Sequence, residues 1–254
     1  MRILLLICCL LFIRLSVFAQ IIDTSRIQVD LSLTGALQEG NFERFQLINR
    51  FDVKIASADK KWDFQTRHLY LYQTVFGNKT QDDYLGRNFL TYHFNNRWDA
   101  FGAFFVETYW IKRIERHFQY GLGTRYSLLK SSRIFLQLGL MGSFSNKQYA
   151  AANFEDFDNK GSSTIDAFFI TPVLDVRVVL IPRRLILKTL AWYQQDVELR
   201  QNWRYVIDGA LLLPIWKGLN IRFSVNNFYE HINLEGVKAN DLFLTYGVNY
   251  KFRK

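Results

Sequence analysis

The sequence has little of what several protein classes require. Its 254 residues include only 3 Pro and 14 Gly, which excludes a collagen-like or low-complexity chain, and its 17% of aromatic residues is too many for a disordered one. Beyond the first 19 residues it also lacks the run of about 20 apolar residues that a membrane-spanning helix needs. The 49% of residues that are apolar must therefore alternate with polar ones. A soluble β-rich domain and a membrane β-barrel both fit this composition.

Cysteine is nearly absent as well. The chain's 2 cysteines, Cys8 and Cys9, both lie in its one long apolar run, residues 3–13. That run follows Arg2 and leads to Ala19, so we predict a cleaved signal peptide over residues 1–19 and a single domain over residues 20–254. A short membrane anchor is the alternative. The mature chain then has no disulfide, no zinc–thiolate site and no cysteine nucleophile.

The charge is basic overall. The chain has 32 Lys and Arg against 23 Asp and Glu, which gives a formal net charge of +9. Two of the positive charges, Arg2 and Arg14, would be removed with the signal peptide. Such a surplus suits an anionic lipopolysaccharide surface, although ordinary Lys and Arg in loops explain it more simply. We predict no nucleic-acid partner.

From Ile27 onward the apolar residues follow a period of two, the pattern of strands with one apolar face. The first two strands are predicted at about 27–34 and 45–55. Ten more follow, which makes an even total of twelve: 62–76, 82–95, 98–111, 117–129, 134–145, 164–181, 185–194, 203–214, 219–230 and 241–252. Several are long enough for a tilted bilayer crossing, and aromatic residues near their ends, such as Trp62 and Trp203, predict two interfacial girdles.

The connections between these strands predict which end faces which compartment. Five are short turns (57–61, 95–97, 130–133, 182–184 and 215–218), and they alternate with connections that are mostly longer (77–81, 112–116, 146–163, 195–202 and 231–240). Short periplasmic turns and longer outside loops are typical of a Gram-negative outer-membrane barrel. The first outside connection, 38–41, is short and fits this rule less well.

The last strand carries a further signal. Tyr246, Val248, Tyr250 and Phe252 alternate with polar residues, which resembles the C-terminal strand signal read by the barrel-assembly machinery. We therefore predict an all-β, transmembrane, antiparallel up-and-down barrel of about twelve strands. Its expected partners are outer-membrane lipid, lipopolysaccharide and that machinery, with envelope proteins as candidates for docking on long loops such as 146–163.

If the apolar set faces lipid, the other set faces the lumen. This predicts a lumen-facing network of mixed charge. Because acids and bases are mixed around the ring, we expect them to pair across a narrow interior. A porin for acidic sugars would instead carry a track of arginines and so a charge of one sign. The predicted network consists of Arg50, Asp52, Arg67, Arg87, Glu107, Arg125, Asp175, Arg177, Arg204, Asp208 and Arg222. Asp30, Asp63 and His93 are also predicted to face inward.

The sequence contains no enzyme motif. An outer-membrane phospholipase of twelve strands has His and Ser close in sequence, but none of His68, His93, His117 and His231 stands in a His-x-Ser motif. A Ser/His pair assembled from different strands stays open. The acidic stretches at 82–83 and 155–158 lack the spacing of a calcium loop and are better explained as solvated loops. We predict no catalytic residue, no cofactor and no metal site.

One segment resembles a known family. Trp98-Asp99-Ala100-Phe101-Gly102, Glu107-Thr108-Tyr109 and Gly121-Leu122-Gly123-Thr124-Arg125-Tyr126, together with the Gly40-Asn41 turn, resemble the DUF481 family of salt-induced outer-membrane proteins. The resemblance implies a small outer-membrane barrel with no established catalysis, and it supplies no site residues. Gly121 and Gly123 are expected to leave space beside Arg125 inside the wall.

Four functions follow as hypotheses. The first is a monomeric barrel of the outer membrane with a structural or stress-related role and no catalysis. The alternatives are a narrow porin for small solutes, a lipid-modifying enzyme of the outer leaflet, and a barrel subunit of a larger envelope complex.

Overall fold

A computed structural model describes residues 26–40, 43–155, 157–182 and 184–253. The predicted signal peptide, its cleavage site and Asn41 of the predicted Gly-Asn turn lie outside the described residues. Within the described part of the chain, no helix is long and apolar enough to cross a bilayer.

The described residues form twelve β-strands that close into one antiparallel barrel. Each strand pairs with its neighbours in sequence, and β1 pairs with β12 from Gln28↔Arg253 to Leu33↔Val248. The predicted up-and-down barrel of about twelve strands is therefore confirmed. The strands are β1 (Ile27–Gln38), β2 (Arg44–Ala56), β3 (Trp62–Val75), β4 (Asn78–His93), β5 (Trp98–Tyr109), β6 (Ile114–Lys130), β7 (Ile134–Tyr149), β8 (Thr164–Ile181), β9 (Leu185–Asp196), β10 (Trp203–Trp216), β11 (Leu219–Glu230) and β12 (Asn240–Arg253).

The period of two sorts the side chains between two faces of the wall. On the outer face, Leu122 and Tyr246 are each 75% exposed, whereas Leu85 and Phe169, which point inward, are each 2% exposed. Burying an apolar side chain is favourable and leaving a continuous band of them in water is not, so this outer face requires acyl chains as its solvent. The chain is a transmembrane barrel that is apolar outside and largely polar inside.

The predicted difference in connection length is only partly correct. The connections at 150–163 and 231–239 are long, as expected, but the predicted loop 77–81 is a two-residue turn at Phe76 and Gly77. Both residues have positive φ (48° and 73°), which is the backbone of a tight hairpin. The strand β4 therefore begins at Asn78 instead of residue 82. Residues 78–81 are polar on both faces, so no apolar alternation marks them as a strand.

The plugged barrel interior as candidate functional site

The structure places all eleven charged residues of the predicted network on the inner face of the wall, where they line interior cavities. Those nearest the end that holds both chain termini surround an open vestibule. The others lie deeper, among aromatic side chains. The two groups make different contacts.

The vestibule is the largest interior space, with a volume of about 100 Å³. Seven cationic side chains line it against four carboxylates; the cations are Arg50, Lys54, Arg67, Arg177, Lys188, Arg222 and Lys251, and the carboxylates are Asp30, Asp52, Asp175 and Asp208. Lys54, Lys188 and Lys251 are additions to the residues predicted to face inward, whereas Asp30 was among them. The vestibule is thus open at the terminal end and carries a positive surplus.

An ion pair closes the inner end of the vestibule. The Arg50 Nη1 of β2 donates to Asp208 Oδ2 of β10 at 2.6 Å, although these strands stand four places apart around the barrel. Arg222 Nη2 approaches the other oxygen of Asp208 at 3.8 Å. Removing charges from water is unfavourable unless they are paired, and the Arg50–Asp208 contact provides such pairing.

A second cluster centres on Glu107 of β5, which is 3% exposed. Its carboxylate accepts hydrogen bonds from Arg87 Nε at 2.6 Å and from the Tyr109 hydroxyl at 3.3 Å, and it contacts His117 Nδ1 at 2.9 Å. The Arg87 guanidinium lies 4.7 Å from the centre of the Trp192 ring, on a strand five places away. The carboxylate and the indole together hold this arginine across the lumen.

Arg204 joins a third group of polar residues, most of which the sequence analysis did not identify. Its guanidinium donates to Gln119 Oε1 at 2.6 Å and to Gln194 Oε1 at 2.5 Å, and it lies 3.4 Å from Glu230. Lys147 also pairs with Glu230. Lys147 was missed because the predicted seventh strand ended at residue 145, while β7 continues to Tyr149.

Aromatic and aliphatic side chains fill the middle of the barrel. The rings of Tyr109 on β5 and Phe228 on β11 lie 6.4 Å apart, although these strands face each other across the full diameter, six places apart. Phe105 reaches Trp192 at 6.4 Å in the same layer. The cavities left in this region measure only about 20 to 40 Å³ each. The interior is therefore blocked by side-chain contacts between opposite walls.

The two long connections cover the end of the barrel that lies away from the chain termini; we call residues 150–155, 157–163 and 231–239 the loop cap. Phe154 and Leu234 form an isolated antiparallel bridge, flanked by backbone hydrogen bonds of 2.9 and 2.8 Å. Leu234 is 0% exposed, in a cluster with Tyr149, Ile165 and Ile232. Lys112 fastens one edge of the cap by donating to the carbonyls of Lys238 and Ala239 at 2.9 and 2.7 Å.

The structure brings one serine and one histidine together from different strands. Ser145 Oγ lies 3.0 Å from His117 Nε2, and His117 Nδ1 lies 2.9 Å from Glu107. His117 and Ser145 are 0% and 1% exposed. Each member of this arrangement therefore has a hydrogen-bonding partner inside the wall, as buried polar groups generally do.

One acidic residue does not match its interpretation as part of a solvated loop. Asp83 is 4% exposed and accepts hydrogen bonds from the Trp110 amide at 2.5 Å and from Gln81 at 2.6 Å. It is a buried acceptor that holds the turn between β5 and β6. Glu155 and Asp158 are exposed, as expected. Among the described residues, no group of three or more His, Cys, Asp or Glu could hold a metal ion.

The two glycines at 121 and 123 do make space, but for partners that the sequence did not identify. A Cβ on Gly123 would lie 2.7 Å from the Phe101 ring, and a Cβ on Gly121 would lie 2.6 Å from the Ser143 Cβ. The Arg125 guanidinium stacks on that same Phe101 ring at 4.1 Å. Gly123 therefore accommodates the ring that supports Arg125, while Gly139 accommodates Arg125 itself.

With this geometry established, comparison with known proteins identifies the family. The model of a family described as "Protein of unknown function, DUF481" matches residues 31–252, which is most of the chain. The chain belongs to the DUF481 family. The resemblance found around residues 98–126 thus extends along nearly the whole barrel of this DUF481 protein. No curated protein matches its sequence.

Solved structures match the DUF481 barrel in shape. The NanC porin, in a rhombohedral crystal form, aligns with a TM-score of 0.52 and 10% identity over 88% of this chain and 99% of that one. The β domain of the Bordetella autotransporter Brka aligns at 0.43 with 8% identity over 90% and 98%. A bacterial polysaccharide outer membrane secretin aligns at 0.42 with 7% identity over 90% and 97%. The first of these supports the outer-membrane barrel fold.

Proposed function

We propose that this DUF481 protein is a non-conducting, non-enzymatic barrel of the Gram-negative outer membrane with a structural or stress-related role. The observation that carries the proposal is the contact of Tyr109 with Phe228 across the full diameter of the barrel. A porin needs a continuous aqueous path. Here the ion pairs, the aromatic layer and the loop cap interrupt that path at three levels.

The arrangement of chain ends and loops supports a location in the outer membrane with a defined orientation. Both chain ends and the short turns would face the periplasm, and the loop cap would face the outside. The apolar side chains of β12 point to lipid, with Tyr246 and Val248 75% and 53% exposed. This is the face that we expect the barrel-assembly machinery to read, and lipid and lipopolysaccharide to contact afterwards.

Single-channel recording in planar bilayers tests the proposal. We expect the wild-type protein to show no current steps. The control is a variant with Tyr109→Ala, Trp192→Ala and Phe228→Ala and without residues 231–236, which should conduct and so prove that inserted barrels are detected. A large open-state current through the wild-type protein would contradict the proposal.

A narrow porin is the second candidate, and one observation favours it. Within the wall the block is built from side chains, and a charged vestibule of about 100 Å³ leads to it from the end opposite the loop cap. Liposome swelling with small anionic and neutral solutes separates the two functions. Swelling with either solute would favour the porin.

Two further functions have direct tests. A lipid-modifying enzyme would turn over phospholipid or lipid A in purified membranes. A subunit of an envelope complex would keep its partners through mild-detergent extraction, which a mass measurement detects. We expect neither result.

A further inference from the structure

The lipid-facing wall carries one cluster of polar side chains far from the membrane surface. On β2, β3 and β4 the outward positions include Asn49, Thr66, His68, Tyr84 and Asn88, which we call the β2–β4 patch. The register of the three strands places these residues together. His68 of β3 pairs with Phe51 of β2 and with Gly86 of β4, and Thr66 of β3 pairs with Asn88 of β4.

The patch lies at the middle of the bilayer. His68 stands near the centre of β3, which runs from Trp62 at one end to Val75 at the other. Several outward positions at similar depth elsewhere on the described wall carry large apolar side chains, such as Leu122, Leu140 and Phe223, which are 75%, 55% and 49% exposed. Hydrocarbon offers no hydrogen-bond partner, so polar groups at this depth must find partners in protein.

Most members of the patch satisfy one another. Thr66 Oγ1 lies 2.7 Å from His68 Nε2 and 2.8 Å from Asn88 Oδ1, and His68 Nδ1 lies 2.8 Å from the Tyr84 hydroxyl. Asn88 Nδ2 donates to the carbonyl of Phe104 at 3.3 Å. The rings of Phe51 and Tyr84 stack on the two sides of His68 at 6.1 and 5.9 Å. The result is a polar surface whose members are joined by hydrogen bonds and ring stacking.

Asn49 differs from the rest. Its side-chain amide makes no hydrogen bond to any residue that the structure describes. It points to lipid from β2, beside Tyr70 of β3. An amide has two donors and one acceptor, and leaving them unpaired in hydrocarbon is costly. A protein group from outside the barrel is needed to complete it.

We propose that the β2–β4 patch is the contact face of a homodimer in the membrane, in which Asn49 pairs with Asn49 of a second copy across a twofold axis. The amide is self-complementary, because its donor fits the acceptor of an identical group. A twofold interface sets a residue on its axis against itself, and polar side chains are a known means of joining membrane-spanning segments.

A different use of the patch is less compatible with its position. Thr66 and His68 could be compared to a nucleophile and base for lipid ester hydrolysis. Ester groups lie at the membrane interface, however, about 15 Å from the bilayer centre, which is half of a hydrocarbon core of roughly 30 Å. The depth of the pair therefore favours contact between proteins.

Cysteine cross-linking tests the dimer directly. Both native cysteines, Cys8 and Cys9, lie in the predicted signal peptide, so a chain cleaved at the predicted site, or one with both cysteines replaced by serine, offers a background free of thiols. We expect Asn49→Cys to give a disulfide-linked species of twice the chain mass when membranes are oxidised. The matched control is Leu140→Cys, on the lipid-facing side of β7, which should not cross-link. Equal cross-linking in both variants, none in Asn49→Cys, or a product with another protein would each overturn the proposal.

Sedimentation in mild detergent gives an independent reading. Asn49→Leu should weaken dimerisation about tenfold or more, while Thr124→Val, an outward change on β6, should leave it unchanged. Heat-modifiable gel mobility confirms that each variant has folded. A wild-type mass equal to one chain at every concentration would refute the dimer. Phospholipase activity lost in Thr66→Val but kept in Asn49→Leu would assign the patch to catalysis and also overturn it.

Discussion

Replacing Trp192 by alanine tests whether the barrel interior is a packed core. The indole is 8% exposed, packs in the cluster with Leu85 and Phe228, and supports the Arg87 guanidinium at 4.7 Å. Large-to-small changes of buried Trp cost about 3–5 kcal/mol of unfolding free energy. Loss of a desolvated cation–π contact, which contributes about 2 kcal/mol, places the expectation toward the upper end of that range.

The assay is denaturant unfolding of the barrel in lipid vesicles, followed by tryptophan fluorescence and by gel mobility. The control is Trp216→Ala, because Trp216 is 65% exposed on the outer face and leaves no internal cavity. A loss below about 1 kcal/mol in Trp192→Ala, or one no larger than that of the control, would refute the idea of a packed plug. Trp192 also separates cavities of about 40, 20 and 30 Å³, so its removal joins them. Because the loop cap still covers one end, no large current is expected from this variant alone.

Three further predictions use the same unfolding assay or a simple probe. Glu107→Ala leaves Arg87 buried without its carboxylate and should cost about 3–5 kcal/mol, whereas Glu107→Gln keeps the shape and should cost less. Gly123→Ala forces a methyl against the Phe101 ring and should cost about 1–3 kcal/mol, whereas Gly102→Ala, whose Cβ would meet its nearest atom at 3.6 Å, should be nearly neutral; equal losses would contradict the tight fit. Leu234→Ala removes a fully buried side chain of the loop cap and should speed proteolysis within residues 150–163; unchanged cleavage would show that the cap is not held by this contact.

Most of the wall could be predicted because the bilayer imposes a simple rule. Where a strand crosses hydrocarbon, its outward residues are mostly apolar, so strands such as β3 and β8 begin where the sequence indicates. Outside the hydrocarbon the outward residues of a strand no longer need to be apolar. Residues 78–81 and 146–149 extend their strands with polar side chains on the outer face, and this is why Lys147 was missed.

The interior was predictable in composition but not in its contacts. Alternation alone indicates that Arg50 and Asp208 face the lumen. Their pairing joins residues 158 positions apart, and it depends on barrel closure and strand tilt. The same holds for Ser145 and His117, which belong to no sequence motif. The role of Gly123 became visible only with the Phe101 ring beside it.

The sequence by itself therefore determined a membrane barrel of twelve strands, because the period of two and the strand length are local properties that each segment carries. Only the tertiary structure decided that this barrel is plugged and capped, and that an unpaired asparagine faces its lipid side. Those features depend on which side chains meet once the barrel has closed. The sequence of a single strand does not determine its distance to a strand on the opposite wall.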